Sequence, residues 1–318
     1  GRLHGCQRPP PRRTSGGLLM GLPRFSNLTT GLIMAMAGSI AFSGKAIIVK
    51  LAYRHDVDAV TLVMYRMLFA LPLFLFMAWW AGRGKPRMAG RDWLGILGLG
   101  FSGYYLASFL DFWGLEYISA SLERLILYLN PTLVLVLGWL LYGCKISYRQ
   151  GVGMLISYAG VMLVFGHEAS LDGKNAVWGA LLVLGSAISY ALYLSYSGQM
   201  VQRLGSLRLA GWATSVACLF CIGQFLLLRP LSAAQVAEPV IWLSLLNATA
   251  CTAVPVVLVM MAIERIGSGL TAQTGMVGPM STLLMGVLIL GEPFNVWIVG
   301  GTALVLSGVF WVTRTPKV

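Results

Sequence analysis

Residues 116–143 read EYISASLERLILYLNPTLVLVLGWLLYG, and residues 264–291 read ERIGSGLTAQTGMVGPMSTLLMGVLILG. Shifted by 148 positions, they set Glu116 on Glu264, Ile118 on Ile266, Leu122 on Leu270, Pro131 on Pro279, Gly138 on Gly286 and Gly143 on Gly291. The same shift, without a gap, brings Gly31 onto Gly179, Ile40 onto Ile188, Gly153 onto Gly301 and Gly160 onto Gly308. Chance does not hold so many glycines and prolines in one register, so the chain reads as two copies of one unit.

Each copy is strongly apolar. Hydrophobic residues make up 57% of the 318, charged residues 11%, and the mean hydropathy is +0.77. An ordinary soluble domain is about a quarter charged, and a soluble core could not absorb this much apolar surface. A membrane helix needs about 20 mostly apolar residues. Runs of that kind lie at 30–53, 60–81, 93–113, 119–142, 149–166, 177–199, 208–228, 240–262, 268–290 and 295–313. Turns such as Arg83–Arg91 and Gly166–Lys174 separate them. Five spans per copy is an odd number, so the copies cross the bilayer in opposite directions. The expected fold is an all-α membrane protein of ten transmembrane helices in two inverted five-helix repeats. Secondary transporters are commonly built this way, with the substrate near the midplane where the halves meet.

The net charge of +12 raises the question of a nucleic-acid partner, and the placement of the charges answers it. Loops on one side hold sixteen basic residues, among them Arg12, Arg13, Arg83, Lys85, Lys145, Arg203 and Arg265; loops on the other hold Arg54, Lys174 and Arg229. Lys and Arg in short loops stay on the cytoplasmic side, so a bacterial inner-membrane protein with both termini in the cytoplasm is expected, with no nucleic acid. Residues 1–29 are expected to be a disordered basic cytoplasmic tail, with Met20 an alternative start.

Catalytic chemistry finds no foothold. The histidines, His4, His55 and His167, fall outside the predicted spans, and no HExxH, DDxxD or P-loop pattern is present. The five cysteines have no framework spacing; Cys218 and Cys221 lie within an apolar run as small helix residues. The chain is expected to be no enzyme and to need no cofactor or metal.

Leu129-Asn130-Pro131-Thr132 leading to Leu141-Tyr142-Gly143, and Val277-Gly278-Pro279-Met280 leading to Leu290-Gly291-Glu292, resemble the two halves of the EamA type of the drug/metabolite transporter superfamily. The second half carries the family's Gly-Glu as Gly291-Glu292; the first departs, with Cys144 in place of Glu. The resemblance covers about residues 30–313, with repeats at 30–166 and 167–318. It implies ten helices around a central cavity and transport of amino acids, their derivatives or other small metabolites, commonly as export. Multidrug efflux is the alternative, and a non-transporting membrane protein a more distant one.

Candidate site residues follow from polarity inside the spans. Pro131 and Pro279 are expected to kink helices 4 and 9 and free the carbonyls of Leu127 and Gly275. Such carbonyls must find a partner or face a watery cavity. Lys45, Arg66, Asp111, Glu123 and Arg124 are intramembrane charges, expected in one layer near the periplasmic side. They are candidates for gating or proton coupling, with Arg66–Asp111 an expected ion pair. Nearer the midplane, Tyr104, Tyr128, Asn130, Tyr190, Tyr193, Asn247, Thr252 and Gln273 are candidates to bind a zwitterionic or aromatic substrate. The expected partners are a small-molecule substrate, the lipid bilayer and protons, with the chain a monomer or homodimer.

Overall fold

The computed structural model describes residues 23–143, 146–172, 174–275, 277–293 and 295–314. Within them all regular structure is helical. In chain order the helices are α1 (Pro23–Tyr53), α2 (Ala59–Gly82), α3 (Gly90–Leu99), α4 (Ala107–Gly114), α5 (Ala120–Leu127), α6 (Asn130–Tyr142), α7 (Tyr148–Asp172), α8 (Lys174–Leu204), α9 (Ser206–Leu228), α10 (Glu238–Ala248), α11 (Val254–Thr274), α12 (Val277–Met285) and α13 (Val296–Arg314). Wider, π-helical turns join α3 to α4 (Gly100–Leu106) and α10 to α11 (Thr249–Ala253), and continue α12 (Gly286–Leu290). Eight helical stretches are long and apolar enough to cross a membrane, and Val277–Leu290 and Val296–Val312 are shorter apolar helices. Their outward faces are greasy: Leu227 is 86% exposed, Leu155 72% and Phe76 63%. Contiguous apolar surface of this extent is what acyl chains cover.

The register of 148 also relates the contacts. A Cβ on Gly31 would collide with Ile266 and crowd Arg265; one on Gly179 would stand 2.8 Å from Ile118 and 2.7 Å from Tyr117. Adding 148 to the second contact's partners gives those of the first. The π-helical turns at Gly100–Leu106 and Thr249–Ala253 fall in the same register. Along the α7–α13 seam, Gly153 packs on Gly308 and Gly160 on Gly301, so each α7 glycine meets the register partner of the other α7 glycine.

The helices depart from the predicted spans where local chemistry overrides hydropathy. The turn expected at Gly166–Lys174 is mostly helical, since α7 runs to Asp172; His167 and Glu168 therefore lie on a helix rather than in a loop. The gap expected between 262 and 268 is also helical, and the chain breaks instead after Thr274. The equivalent gap in the first half is real. There Ser119 caps α5 by accepting from the Leu122 amide, 3.0 Å away. Its register partner is Gly267, which has no side chain to cap with.

Carboxylates secure that same α5 start. Glu292 accepts from the Ala120 amide (2.8 Å) and the Ser121 hydroxyl (2.7 Å), and Glu168 from the Ser119 amide (3.2 Å) and hydroxyl. Negative charge at a helix N-terminus meets both the free amides and the helix dipole. Glu292→Ala removes both bonds and is expected to cost about 1–2 kcal/mol, read as a lower melting temperature of the purified protein. An unchanged melting temperature would show that Glu168 alone holds the start of α5.

Candidate functional site

The prolines break their helices rather than kink them. The α5 ladder lapses at Tyr128 and Leu129 and restarts at Asn130, which puts Pro131 in the first turn of α6, where it has no amide to lose. Pro279 is likewise the third residue of α12. A helix that stops in the middle of a bundle leaves carbonyls to be satisfied, and both expected carbonyls are. Leu127 O accepts from Asn130 Nδ2 (2.8 Å); Gly275 O accepts from Ser39 Oγ (2.7 Å) and from the Tyr128 hydroxyl. Ser43 adds a bond to Gly278 O (2.8 Å). Hydroxyls on α1 and α5–α6 thus stitch the two broken helices together.

These breaks open onto a chamber of about 510 Å³. Its wall draws on α1 (Ser39, Lys45), α2 (Arg66, Phe74), the first π-helical turn and α4 (Tyr104, Ser108, Asp111), α5 (Arg124) and the break into α6 (Tyr128, Asn130). The rest comes from α8 (Ser186, Tyr190), α9 (Thr214), the second π-helical turn (Thr252) and α11 (Met260). Both halves contribute. The π-helical turns matter because each widened turn swings residues inward that a regular helix would aim elsewhere; such turns recur at functional sites. Thr252 uses the position twice, donating to Asn247 O (2.8 Å) and accepting from Arg66 Nε (3.2 Å).

Charge gathers on this wall. Lys45 Nζ lies 2.5 Å from Asp111 Oδ2 and 3.4 Å from Glu123 Oε1, so one ammonium serves two carboxyl groups. Glu123 is fully buried behind it and Asp111 nearly so. Arg66 is not the partner of Asp111 that the sequence led us to expect. Its Nη1 reaches Ser108 Oγ (3.4 Å), and its guanidinium lies 5.0 Å from the Phe112 ring centre. Arg124 donates Nε to Thr282 Oγ1 (3.0 Å). Lys45, Arg66, Asp111 and Arg124 therefore share one chamber with several of the polar midplane residues, from which they were expected to be separated by depth.

Of the expected substrate residues, Tyr104, Tyr128, Asn130, Tyr190 and Thr252 reach the chamber. Tyr193 stands behind: its hydroxyl bonds to that of Tyr104 (3.2 Å), and its ring stacks on Tyr190 at 5.5 Å. Asn247 is buried away from the wall and acts through its backbone carbonyl. The side chain of Gln273, and Cys144, lie outside the described residues. Sequence reasoning missed Ser39, Ser108, Ser186 and Thr214. A single hydroxyl in an apolar helix carries no periodic signal, and it is the break opposite that makes it matter.

A second hollow of about 450 Å³ lies at the C-terminal end of α1, between Lys50, Arg54, Glu116, His167, Glu168 and Glu292. Its groups are mostly engaged with the fold. Glu116 accepts from the Ala59 amide (3.0 Å), Arg54 donates to Leu290 O (2.9 Å), and His167 bonds Asn295 (3.0 Å) and stacks on Trp297.

Comparison with known proteins agrees with the geometry. The model of the EamA-like transporter family matches twice, over residues 29–166 and 177–314. The uncharacterized transporter YcbK of Bacillus subtilis (strain 168) is 30% identical over 293 residues, covering 87% of this chain and 92% of the relative. The uncharacterized transporter YetK of the same organism is 23% identical, covering 88% and 86%. A solved crystal structure, 16% identical, superposes with a TM-score of 0.61 over 89% of this chain and 96% of the other, a likeness of fold. Two family matches, an all-helical bundle with a lipid-facing exterior and a polar chamber between broken helices lead to one assignment: this chain is a multi-pass membrane protein belonging to the EamA-like transporter family.

Proposed function

We propose that the protein is a secondary transporter of the bacterial inner membrane that exports a small metabolite, an amino acid or a derivative, through the chamber described above. The halves, 30–166 and 167–318, act as inverted repeats of five spans each, and both termini lie in the cytoplasm. The observation that carries this reading is a chamber walled by both halves, at two helix breaks, in a bundle whose contacts repeat in a register of 148. Rocking of one repeat against the other around such a site gives alternating access. The chain works as a monomer or homodimer.

Protons are the coupling ion in this reading. The candidate proton carriers are Asp111 and Glu123, two buried intramembrane carboxyl groups that share the one ammonium of Lys45. The groups facing Asp111 and Glu123 are Lys45 from α1, Arg66 from α2 and Arg124 from α5. Uptake of pooled labelled amino acids and related metabolites into proteoliposomes, with and without an imposed pH gradient, tests both claims. Saturable uptake that grows with the gradient is expected. Asp111→Asn and Glu123→Gln are each expected to flatten the pH profile of transport. Profiles like that of the unaltered protein, at equal protein levels, would reduce both acids to structural ion pairs.

Multidrug efflux is the second reading, since an acid, Asp111, lies on the chamber wall. The charge around it disfavours that reading. Asp111 already has Lys45 at 2.5 Å, and Arg66 and Arg124 add positive charge, which repels the cations typical of such drugs.

A further inference from the structure

The chamber carries a surplus of positive charge. Lys45, Arg66 and Arg124 reach its wall; Asp111 lies among them, and Glu123 sits directly behind Lys45. Three cations face two acids. Both acids bear on Lys45, at 2.5 and 3.4 Å, and among the described residues neither guanidinium is ion-paired. Arg66 is 7% exposed, and among the described residues its polar contacts are the hydroxyls of Thr252 and Ser108, and that of Arg124 is the hydroxyl of Thr282. Hydroxyls orient a guanidinium but do not neutralise it. An arginine cannot shed its proton to escape the cost of burial, as a lysine can. Two such groups in one intramembrane cavity call for an anion from outside the fold.

The rest of the wall says what the anion is attached to. Tyr104, Tyr128 and Tyr190 present rings, and Phe42, Phe74 and Met260 complete an apolar surround. The planar guanidinium fork matches a carboxylate in two parallel bonds, and ring faces suit an aromatic body.

We propose that the substrate is an organic monoanion, a single carboxylate on an aromatic or apolar body, with the carboxylate met by Arg66 and Arg124. One negative charge brings the chamber to neutrality. A zwitterion leaves the surplus in place, and its ammonium finds Asp111 already occupied by Lys45. A cation adds to the surplus. Protonation of Asp111 or Glu123 raises the positive excess rather than removing it, so the preference holds in either protonation state. The inference rests on the transport reading above and, within its substrate class, selects derivatives with a net negative charge over free zwitterionic amino acids.

The test is binding to the purified, unaltered protein in detergent, by calorimetry and by ligand-induced thermal stabilisation, with four compounds that share one phenyl body. These are 3-phenylpropionate, its neutral amide, zwitterionic phenylalanine and cationic phenethylamine. The carboxylate is expected to bind at least about tenfold more tightly than the amide or the zwitterion, a difference within reach of one charge-assisted pair. The amine is expected not to bind. Arg66→Gln and Arg124→Gln are each expected to remove that tenfold advantage of the acid over the amide. Equal binding of acid and amide, a preference for the zwitterion or amine, or binding of none of the four would overturn the proposal; all three readings come from unaltered protein, so misfolding of a variant does not blur them. Saturable flux of a zwitterion or cation, with no preference for the acid, would overturn the anion and leave the transporter standing. Tight binding of the acid without flux of any metabolite would support the anion and remove the transporter.

Discussion

Replacing Gly308 by leucine is expected to leave no folded protein. A Cβ at that position would collide with the Ser157 hydroxyl and with the Gly153 carbonyl across the α7–α13 seam. The obstacle is partly backbone, which cannot rotate aside, so the two helices would have to separate. Separation loses contact along the whole seam, because the other crossing is as close: a Cβ on Gly160 would stand 2.6 Å from Gly301 O, and one on Gly301 2.7 Å from Gly160 O. Overpacking generally costs about 1–3 kcal/mol and occasionally more. A four-carbon side chain against a carbonyl belongs beyond that range, in a setting where helices associate by close packing because lipid offers no hydrophobic drive. The measurement is the yield of monodisperse protein in mild detergent and its melting temperature. Gly151→Ala on α7 is the control, since a Cβ there meets nothing within 4 Å; it should be neutral or slightly stabilising. A monodisperse Gly308→Leu protein melting with the unaltered one would show that the seam is not built on its glycines.

The glycines of that seam, though not their meeting across it, could be read from the sequence because they answer absolute requirements. A glycine at a helix crossing has no substitute, so the pairs Gly153 with Gly301 and Gly160 with Gly308 stand out in the register of 148. The prolines stand out for the same reason. Their positions are legible and so are the carbonyls of Leu127 and Gly275, but the outcome is a break and not the expected kink. A mid-helix proline implies a kink, whereas one preceded by a lapse in the ladder starts a new helix. Nothing local to Pro131 distinguishes these; what decides is Tyr128 reaching Gly275 O from the other half of the chain. Pairing among the charges was beyond sequence reasoning for a related reason. Lys45 and Asp111 are 66 residues apart on helices whose relative rotation depends on packing, and Arg66 was as good a partner by depth alone. The depth argument also separated the charges from the polar midplane groups, since 1.5 Å per residue measures height along an axis and says nothing of a helix widened at Gly100–Leu106 or broken at Tyr128.

The cluster around Lys45 gives the second large effect. Lys45→Met leaves Asp111 and the fully buried Glu123 without the cation they share, and breaking a buried ion pair from one side costs about 3–5 kcal/mol. Much of a typical protein's net stability is of that order, so a large drop in melting temperature or in folded yield is expected. Methionine nearly matches the lysine stem in length, which keeps the packing loss small and isolates the charge. The distinguishing variant is the triple Lys45→Met, Asp111→Asn, Glu123→Gln. With no ionised group left in the cluster, most of the lost stability should return, because a buried ion cluster replaced as a whole by neutral groups is often tolerated. If transport is proton-coupled as proposed, the triple variant should nevertheless ignore an imposed pH gradient, since no group remains in the cluster to carry the proton. Comparing the single, double and triple variants gives the coupling between the three side chains directly. A triple variant as unstable as Lys45→Met would assign the loss to the lysine stem, and a gradient-sensitive triple variant would move the proton site elsewhere in the chamber. Rescue of stability without rescue of coupling is the one combination that makes Lys45, Asp111 and Glu123 at once a support of the fold and the seat of its proton.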